Sequence, residues 1–438
     1  MESTRRVILL AVVLMLVLTT AAQAGEVFKK VLPENGLTVI LQENHSAPVV
    51  NLRMYVRAGG IYEGKYLGCG ISHFCEHLVQ NGPTQNITAE ERDKEIEAIG
   101  GANNAYTSKD HTCYFTETSS EHFDKALELL ADQLMNLEFP QETVDTQQGI
   151  IVREINMGYD EPARRIYNLS GEVMWRRHEA RYPVIGYVEN FQRLTREDAM
   201  DYFHRMYVPN NMVFVAVGDF DTAETFEKVR EAFKDFERRP LQMPALHEEP
   251  PQLGRRELRE QRDLDMAYVR VGIPTVTCDN PDMYPLDILS HILSEGRSSR
   301  LYQKLVEDLG LVYSVSSSSY TPSFDAGTFT ISMTMDPANI DAAVEAALDE
   351  IYRLKKDKVR KDELKKAKKI KTAEFYFSQQ DMEGIAGSLG TSELATGEPN
   401  FWGSTYAQEI QNTTAEQIRD VVNRYFHDDN VNLTVLEP

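Results

Sequence analysis

The sequence predicts an α+β protein of two tandem homologous domains, each a mainly antiparallel sheet with helices packed on one face. Three observations carry that expectation. The chain repeats itself: Thr195 to Val217 reads TREDAMDYFHRMYVPNNMVFVAV, and Thr414 to Leu436 reads TAEQIRDVVNRYFHDDNVNLTVL. Thr195, Glu197, Asp201, Arg205 and Asn211 are matched by Thr414, Glu416, Asp420, Arg424 and Asn430. In both halves, segments of period two alternate with segments of period near 3.6. Between the halves, residues 239–253 carry Pro240, Pro244, Pro250 and Pro251 and read as an extended linker. The domains are therefore expected at 25–238 and 254–438. A hydrophobic content of 42% over 438 residues is enough for two ordinary cores.

In chain order, the first element is a targeting signal, residues 1–24. Arg5 and Arg6 precede the apolar run Val7 to Leu18, and Ala22-Gln23-Ala24 is a small-residue cleavage site. Cleavage after Ala24 implies a mature chain that works in the periplasm or is secreted, with no integral membrane segment left. Asn35-Gly36 before Leu37 to Leu41 marks a hairpin turn. Val50, Leu52, Met54 and Val56 alternate with Asn51, Arg53, Tyr55 and Arg57, the pattern of a half-buried antiparallel strand. Phe329, Ile331, Met333 and Met335 repeat it in the second half. Helical periodicity covers Phe123 to Leu137 and Ala342 to Leu354, and Thr195 and Thr414 are N-caps with acidic first turns.

The chain carries 46 Lys and Arg against 68 Asp and Glu, a formal charge of −22. That acidity argues against nucleic acid or an anionic membrane as partner and favours cationic substrates. Four cysteines are too few for a disulfide framework. A Cys69–Cys75 or Cys75–Cys113 bridge and buried free thiols remain alternatives.

The most informative segment is His73-Phe74-Cys75-Glu76-His77. At about 100° per residue, His73 and His77 lie about 40° apart on a helix, one turn above the other. Two neutral imidazoles so placed form a pincer for tetrahedral zinc. Glu76 is too close in sequence to be a relaxed third ligand, and is placed to take a proton from water held at the metal. The order H-x-x-E-H is the inverted zinc-peptidase signature. Cys75, about 200° round from His73, should face the core. Catalytic zinc needs a third protein ligand and an open position; Glu154, on the helical stretch Glu142 to Met157, is the candidate. Gly149 in that stretch costs about 1 kcal/mol against alanine and is expected to let the His73–His77 helix approach closely. His291 occupies the His77 position of the repeat, but Asp287 and Ser290 replace the other motif residues, so no second metal site is expected there.

These blocks, in order, resemble the pitrilysin/insulinase family of zinc peptidases, in particular the bacterial two-domain branch similar to the mitochondrial processing peptidase beta subunit. The matching text is Gly70-Ile71-Ser72 with His73 to His77, Gly100 to Thr107, Val152-Arg153-Glu154 and Pro183-Val184-Ile185-Gly186. It continues through the strand leading to Gly218, Ser298 to Tyr302, and Gly310 to Tyr313. The resemblance implies a processing-peptidase-like metallohydrolase fold, one Zn²⁺ per chain held by His73, His77 and Glu154, and Glu76 as general base. It also implies that Asn104 and Ala105 lie on an edge strand that takes substrate as an added strand, with Tyr313 contacting substrate. Two positions depart from the family pattern. Gln147 stands where a second glutamate is usual, removing a negative charge near the metal. Val306 stands where the family has the arginine that pairs with Tyr313 to grip substrate, and neither Arg300 nor Lys304 is an easy substitute. The implied function is an exported zinc metalloendopeptidase that hydrolyses short unfolded peptides. It is expected to act as one subunit of a heterodimer whose homologous partner supplies the missing arginine. The alternative is a catalytically weak or inactive member acting as a binding or assembly subunit.

Overall fold

Two sheets organise the chain. The structure is a computed structural model describing residues 25–325 and 327–438; the expected signal peptide and its cleavage site lie outside the described residues. The first sheet has the order β1-β2-β6-β3-β5-β4. Its strands are β1 Phe28–Val31, β2 Thr38–Glu43, β3 Val49–Val56, β4 Ala102–Thr107, β5 Thr112–Ser119 and β6 Met212–Gly218. The second has the order β7-β11-β8-β10-β9, from β7 Arg256–Gln261, β8 Ala267–Pro274, β9 Ser314–Tyr320, β10 Thr328–Met335 and β11 Asn432–Glu437. Both are antiparallel except for one parallel pair each, β2 with β6 and β7 with β11. β4 is an edge strand, and β9 occupies the same edge of the second sheet.

The longer helices of the first half are α1 Ile71–Asn81, α2 Ala89–Ala98, α3 Phe123–Met135, α4 Gln141–Asp160, α5 Pro162–Met174, α6 Arg196–Met206 and α7 Thr222–Phe233. Those of the second are α8 Met283–Ser294, α9 Ile340–Arg353, α10 Lys361–Ser378, α11 Met382–Thr396 and α12 Ala415–Tyr425. The repeat is built the same way twice. Thr195 and Thr414 close capping boxes with Asp198 and Gln417. The matched Asn211 and Asn430 each donate back to the helix they follow, to the carbonyls of Met206 (2.8 Å) and Tyr425 (2.9 Å).

One face of each sheet is covered by helices of its own half. Leu52, Met54, Val56, Phe214 and Ala216 pack on α1, α3, α6 and α7; Val269, Val271, Ile331 and Val435 pack on α8, α9 and α12. The opposite faces are covered by exchange. From the second half, α11 lays Ile385, Ala386 and Leu389 on Ile40, Tyr55 and Val215 of the first sheet. From the first half, α5 lays Ile166 and Leu169 against Leu436, Leu258 and Tyr268 of the second. Arg165 locks this by two parallel bonds to Glu260 (3.1 and 2.5 Å), and Arg53 meets Glu383 at 3.0 Å. At Gly390 any side chain would collide, because a Cβ there would stand 2.1 Å from the Tyr55 ring. Each buried aliphatic of this interlock contributes roughly 1.5–3 kcal/mol. The exchange also corrects the reading of β3 as half-buried. Asn51 and Tyr55 are wholly buried and Arg53 is 4% exposed, since a helix some 330 residues away covers their face.

The helix α1 is fixed at both ends by buried ionisable side chains that lie outside it. Its N-cap, Gly70, has φ 71° and no side chain to accept from the first amides. Glu63, 1% exposed, supplies the carboxylate, accepting from the amides of Gly70 (3.2 Å) and Ser72 (3.1 Å). A Cβ at Gly70 would also sit 2.1 Å from the Ile185 carbonyl, so glycine alone fits that turn. At the other end Arg92, 1% exposed, donates to the carbonyls of Gly82 (2.9 Å) and Gln80 (2.5 Å), and Gln133 donates to Val79 (2.8 Å). The Arg92 guanidinium at the C-terminus complements the helix dipole; burial lifts the Glu63 carboxyl to about 8, so at the N-terminus it serves as a hydrogen-bond acceptor. Replacing Arg92 by methionine should leave those carbonyls buried without donors and cost roughly 1–3 kcal/mol, read as a lowered midpoint in urea denaturation. An unchanged midpoint would show that the Arg92 contacts are dispensable.

Candidate metal centre

Ile71, Phe74, Cys75, Leu78 and Val79 are buried, which turns His73 and His77 to the opposite side of α1. Cys75 thus faces the core as expected; all four cysteines are free thiols, with Cys69 only partly buried. Across from the imidazoles runs α4, whose Val144, Gln147, Ile151 and Gly158 form a buried stripe. Glu154 belongs to that stripe. Gly149, two residues beyond Gln147, is about 200° away and faces outward. The nearest atom to a Cβ there would be its own helix's Arg153 Nη1 at 3.8 Å, so Gly149 does not admit a close helix approach as the sequence suggested. The crowded glycine of α4 is Gly158, where a Cβ would meet Arg164 at 2.6 Å.

One set of side chains with metal-ligand chemistry occurs among the described residues: His73, His77 and Glu154, with donor atoms all within 4.8 Å of one another. The Glu154 Oε2 lies 3.6 Å from His77 Nε2 and 3.9 Å from His73 Nε2. Ligands on about 2.1 Å bonds at tetrahedral angles stand about 3.4 Å apart, so two nitrogens and one carboxylate oxygen here fit a zinc-sized ion with small adjustment. The His73 imidazole is suited to ligation because burial, reinforced by the nearby His77 and Arg164 side chains, holds its pKa down to about 3. The His77 Nδ1–H donates to Gln147 Oε1 (3.1 Å), which leaves Nε2 with its lone pair toward Glu154. Gln147 is therefore the outer partner of His77, with the hydrogen bond retained and the charge absent. His73 Nδ1 is buried without a partner.

Glu76 stands 3.8 Å from His73 Nε2 and is 7% exposed. Burial raises its carboxyl above the ordinary range, opposed by the hydrogen bond from Thr107 and by His77. Thr107 Oγ1 donates to Glu76 Oε2 at 2.8 Å. Thr107 is the last residue of β4, so the edge strand ends against this carboxylate. Sequence reading named the strand but not this hydroxyl; its place at the end of the Asn104-to-Thr107 block was the available signal. On the same strand Asn104 is exposed and Ala105 half-buried, and the Ala105 amide donates to Asn104 Oδ1 (2.8 Å). Glu154 also borders a crevice of about 490 Å³ between α4, α5 and the 183–189 loop. Arg164, 3.9 Å from Glu154, lines it too; no sequence pattern singled out Arg164.

The second-half candidates stand apart from this cluster. Tyr313, just before β9, is 64% exposed and its amide donates to the Thr334 carbonyl. Val306 packs against the second core. Arg300 is committed to Glu363 (2.9 and 3.0 Å) and Glu350 (3.2 Å), which explains why it cannot stand in for the absent arginine. His291 meets the Glu374 carboxylate at 3.0 Å and has no metal-ligand set around it among the described residues.

The chain is similar to known proteins along most of its length. The family profile described as "Insulinase (Peptidase family M16)" matches residues 38–186, and "Peptidase M16 inactive domain" matches residues 193–371. The "Uncharacterized zinc protease YmxG" of Bacillus subtilis is 26% identical over 399 residues, 90% of this chain and 95% of that one. The "Zinc protease PqqE" of Helicobacter pylori is 26% identical over 454 residues, covering 100% and 99% of the two chains. A crystal structure of a protease from Helicobacter pylori superposes with a TM-score of 0.88 at 26% identity, covering 94% of this chain and 100% of that one. A putative M16-like peptidase from Alicyclobacillus acidocaldarius, 22% identical over 94% and 98% of the chains, shares the fold with a TM-score of 0.82. With two family profiles on successive halves, relatives along its whole length and the zinc-competent cluster in the first half, the chain belongs to the pitrilysin/insulinase family of zinc peptidases.

Proposed function

We propose that this protein is an exported zinc metalloendopeptidase that cuts short unfolded peptides, with His73, His77 and Glu154 holding one Zn²⁺ and Glu76 as general base. The observation that carries the reading is the junction of three parts. Two imidazoles and a carboxylate converge, Glu76 lies beside them, and Thr107 joins Glu76 to the end of an open edge strand. Zinc bound there would supply Lewis acidity, lowering the pKa of a water toward neutrality and polarising a peptide carbonyl. The protein's part is to hold that chemistry in place. Gln147 fixes the His77 tautomer, Thr107 aims the Glu76 oxygen, and burial keeps the Glu76 carboxylate basic enough to accept a proton. An extended peptide adding to β4 through Asn104 and Ala105 would bring its backbone past Glu76, and only an unfolded chain has main-chain groups free for that pairing. Export rests on the leader of residues 1–24; no helix among the described residues is long and apolar enough to cross a membrane.

Metal stoichiometry is the direct test of the ligand set. The mature protein should retain about one zinc, and His77→Ala should lose it while keeping its circular dichroism spectrum. Equal zinc in the two proteins would remove His77 from the site. Glu76→Gln preserves shape but cannot take a proton, so it should keep zinc and lose peptidase turnover on the order of 10²-fold or more. Undiminished turnover would reject Glu76 as base.

The partner follows from Val306, an apolar side chain that cannot donate to a peptide carbonyl, and from Arg300, which is occupied elsewhere. Missing donors at such sites cost on the order of 10²-fold or more in rate. The isolated chain should therefore be weakly active, and a homologous subunit bearing the arginine should raise its turnover. Full activity alone, with no gain from the partner or from Val306→Arg, would rule out the heterodimer.

A further inference from the structure

A chain with a formal charge of −22 nevertheless gathers three cations in one cavity with no anion among them. The cavity, about 70 Å³, lies between α5 and the outer face of the second sheet, lined by Lys109, Tyr167, Asn168, Arg181, Arg270 and Tyr320 among others. Arg270, on β8, lies over the Tyr167 ring at 5.3 Å, and its Nε is buried without an acceptor. The Nε of Arg181 is likewise buried and unused, while its Nη1 donates to the Arg176 carbonyl (3.1 Å). Lys109 donates to the carbonyls of Ala180 (2.9 Å) and Tyr182, leaving a third ammonium hydrogen. None of the three joins an ion pair among the described residues. Burial holds Lys109 down to about 8, opposed by Glu63, and lowers Arg270, opposed by Tyr167. Half-buried cations without an ion-pair partner are stabilised when an anion completes them.

The cavity adjoins the crevice beside the candidate metal cluster. It shares Asn168 and Pro183 with the crevice that Glu154 borders. Along α5, Arg164 stands beside Glu154 and Gly171 lines the cavity. Seven residues of helix rise about 10 Å, the reach of about three residues of extended peptide. The chemistry selects a small planar anion, because a guanidinium fork pairs with the two oxygens of a carboxylate.

We infer that this cavity is a subsite for the free carboxylate at the C-terminus of a peptide lying in the Glu154 crevice. The inference rests on the peptidase reading, since that reading supplies the peptide. A side-chain carboxylate would have to bring its own backbone into the same small space, whereas a terminal one enters end-on.

The test uses binding, so that it does not depend on turnover. The full mature Glu76→Gln protein, loaded with zinc, is titrated calorimetrically with one unstructured peptide as its free acid and as its C-terminal amide. The acid should bind about tenfold more tightly, the gain expected of a charge-assisted pair. In Glu76→Gln/Arg270→Ala and Glu76→Gln/Arg181→Ala the acid should weaken to the level of the amide, with amide binding unchanged. In the active protein Arg270→Ala should raise KM for the acid about tenfold and change kcat less than twofold. Equal binding of acid and amide to Glu76→Gln overturns the subsite even if the second variants fail to fold. Loss of both ligands alike in folded Arg270→Ala assigns that residue a structural role and overturns it too. Inorganic phosphate that binds with an affinity the free acid cannot match, and is not displaced by it, would assign the site to phosphate instead. An acid-over-amide preference without any peptide cleavage would leave the subsite standing and reject the peptidase reading.

Discussion

Everything at the metal centre depends on where one short helix is held. Helix α1 has no capping side chain of its own, and its ends are closed by Glu63 and Arg92, two buried polar side chains from neighbouring segments. Each would be costly to bury alone, and each removes the matching cost of unpaired backbone groups at a helix end. The pairing fixes the helix along its axis, while Phe74 packed edge-on to Phe191 at 5.3 Å fixes its rotation. His73 and His77 thereby face α4 with little freedom, which a metal site needs to hold its ligand geometry.

The second half bears on this cluster though none of the three candidate ligands lies in it. Glu154 sits on α4, and α4 runs through Pro162 directly into α5, which lies on the second sheet. In return α11 of the second half seals the outer face of the first sheet, including the strand β3 that pairs with β5 beside the edge strand β4. The exchange of helices ties the position of Glu154 to the packing of both cores. It also creates the crevice and the cationic cavity along α5, at the seam between the halves.

Much of the site was legible because its chemistry is local. The spacing of His73, Glu76 and His77 places them on one helix face whatever surrounds them. The Thr195 and Thr414 caps and the matched Asn211 and Asn430 likewise act within a few residues, and the structure keeps them. Gly149 failed as a packing signal for an equally physical reason. A glycine marks a close approach only on the contacting face, and the buried stripe of α4 passes through Gly158 instead. Arg53 and Tyr55 read as solvent-facing because alternation along a strand reports one covered face and is silent about a second cover.

By itself the sequence determined the repeat, the helix carrying two imidazoles and a carboxylate, and the second carboxylate, Glu154, three helices later. These follow from short-range periodicity and from residue types that few other chemistries require. Only the tertiary structure decided that Glu63 and Arg92 anchor that helix, that Thr107 holds Glu76, and that Lys109, Arg181 and Arg270 share one cavity without an anion. Those groups come from separate loops, helices and strands, up to 161 residues apart in the last case. The meeting at the cavity is set by how the two sheets exchange helices and the others by packing within the first half, neither of which a local pattern encodes.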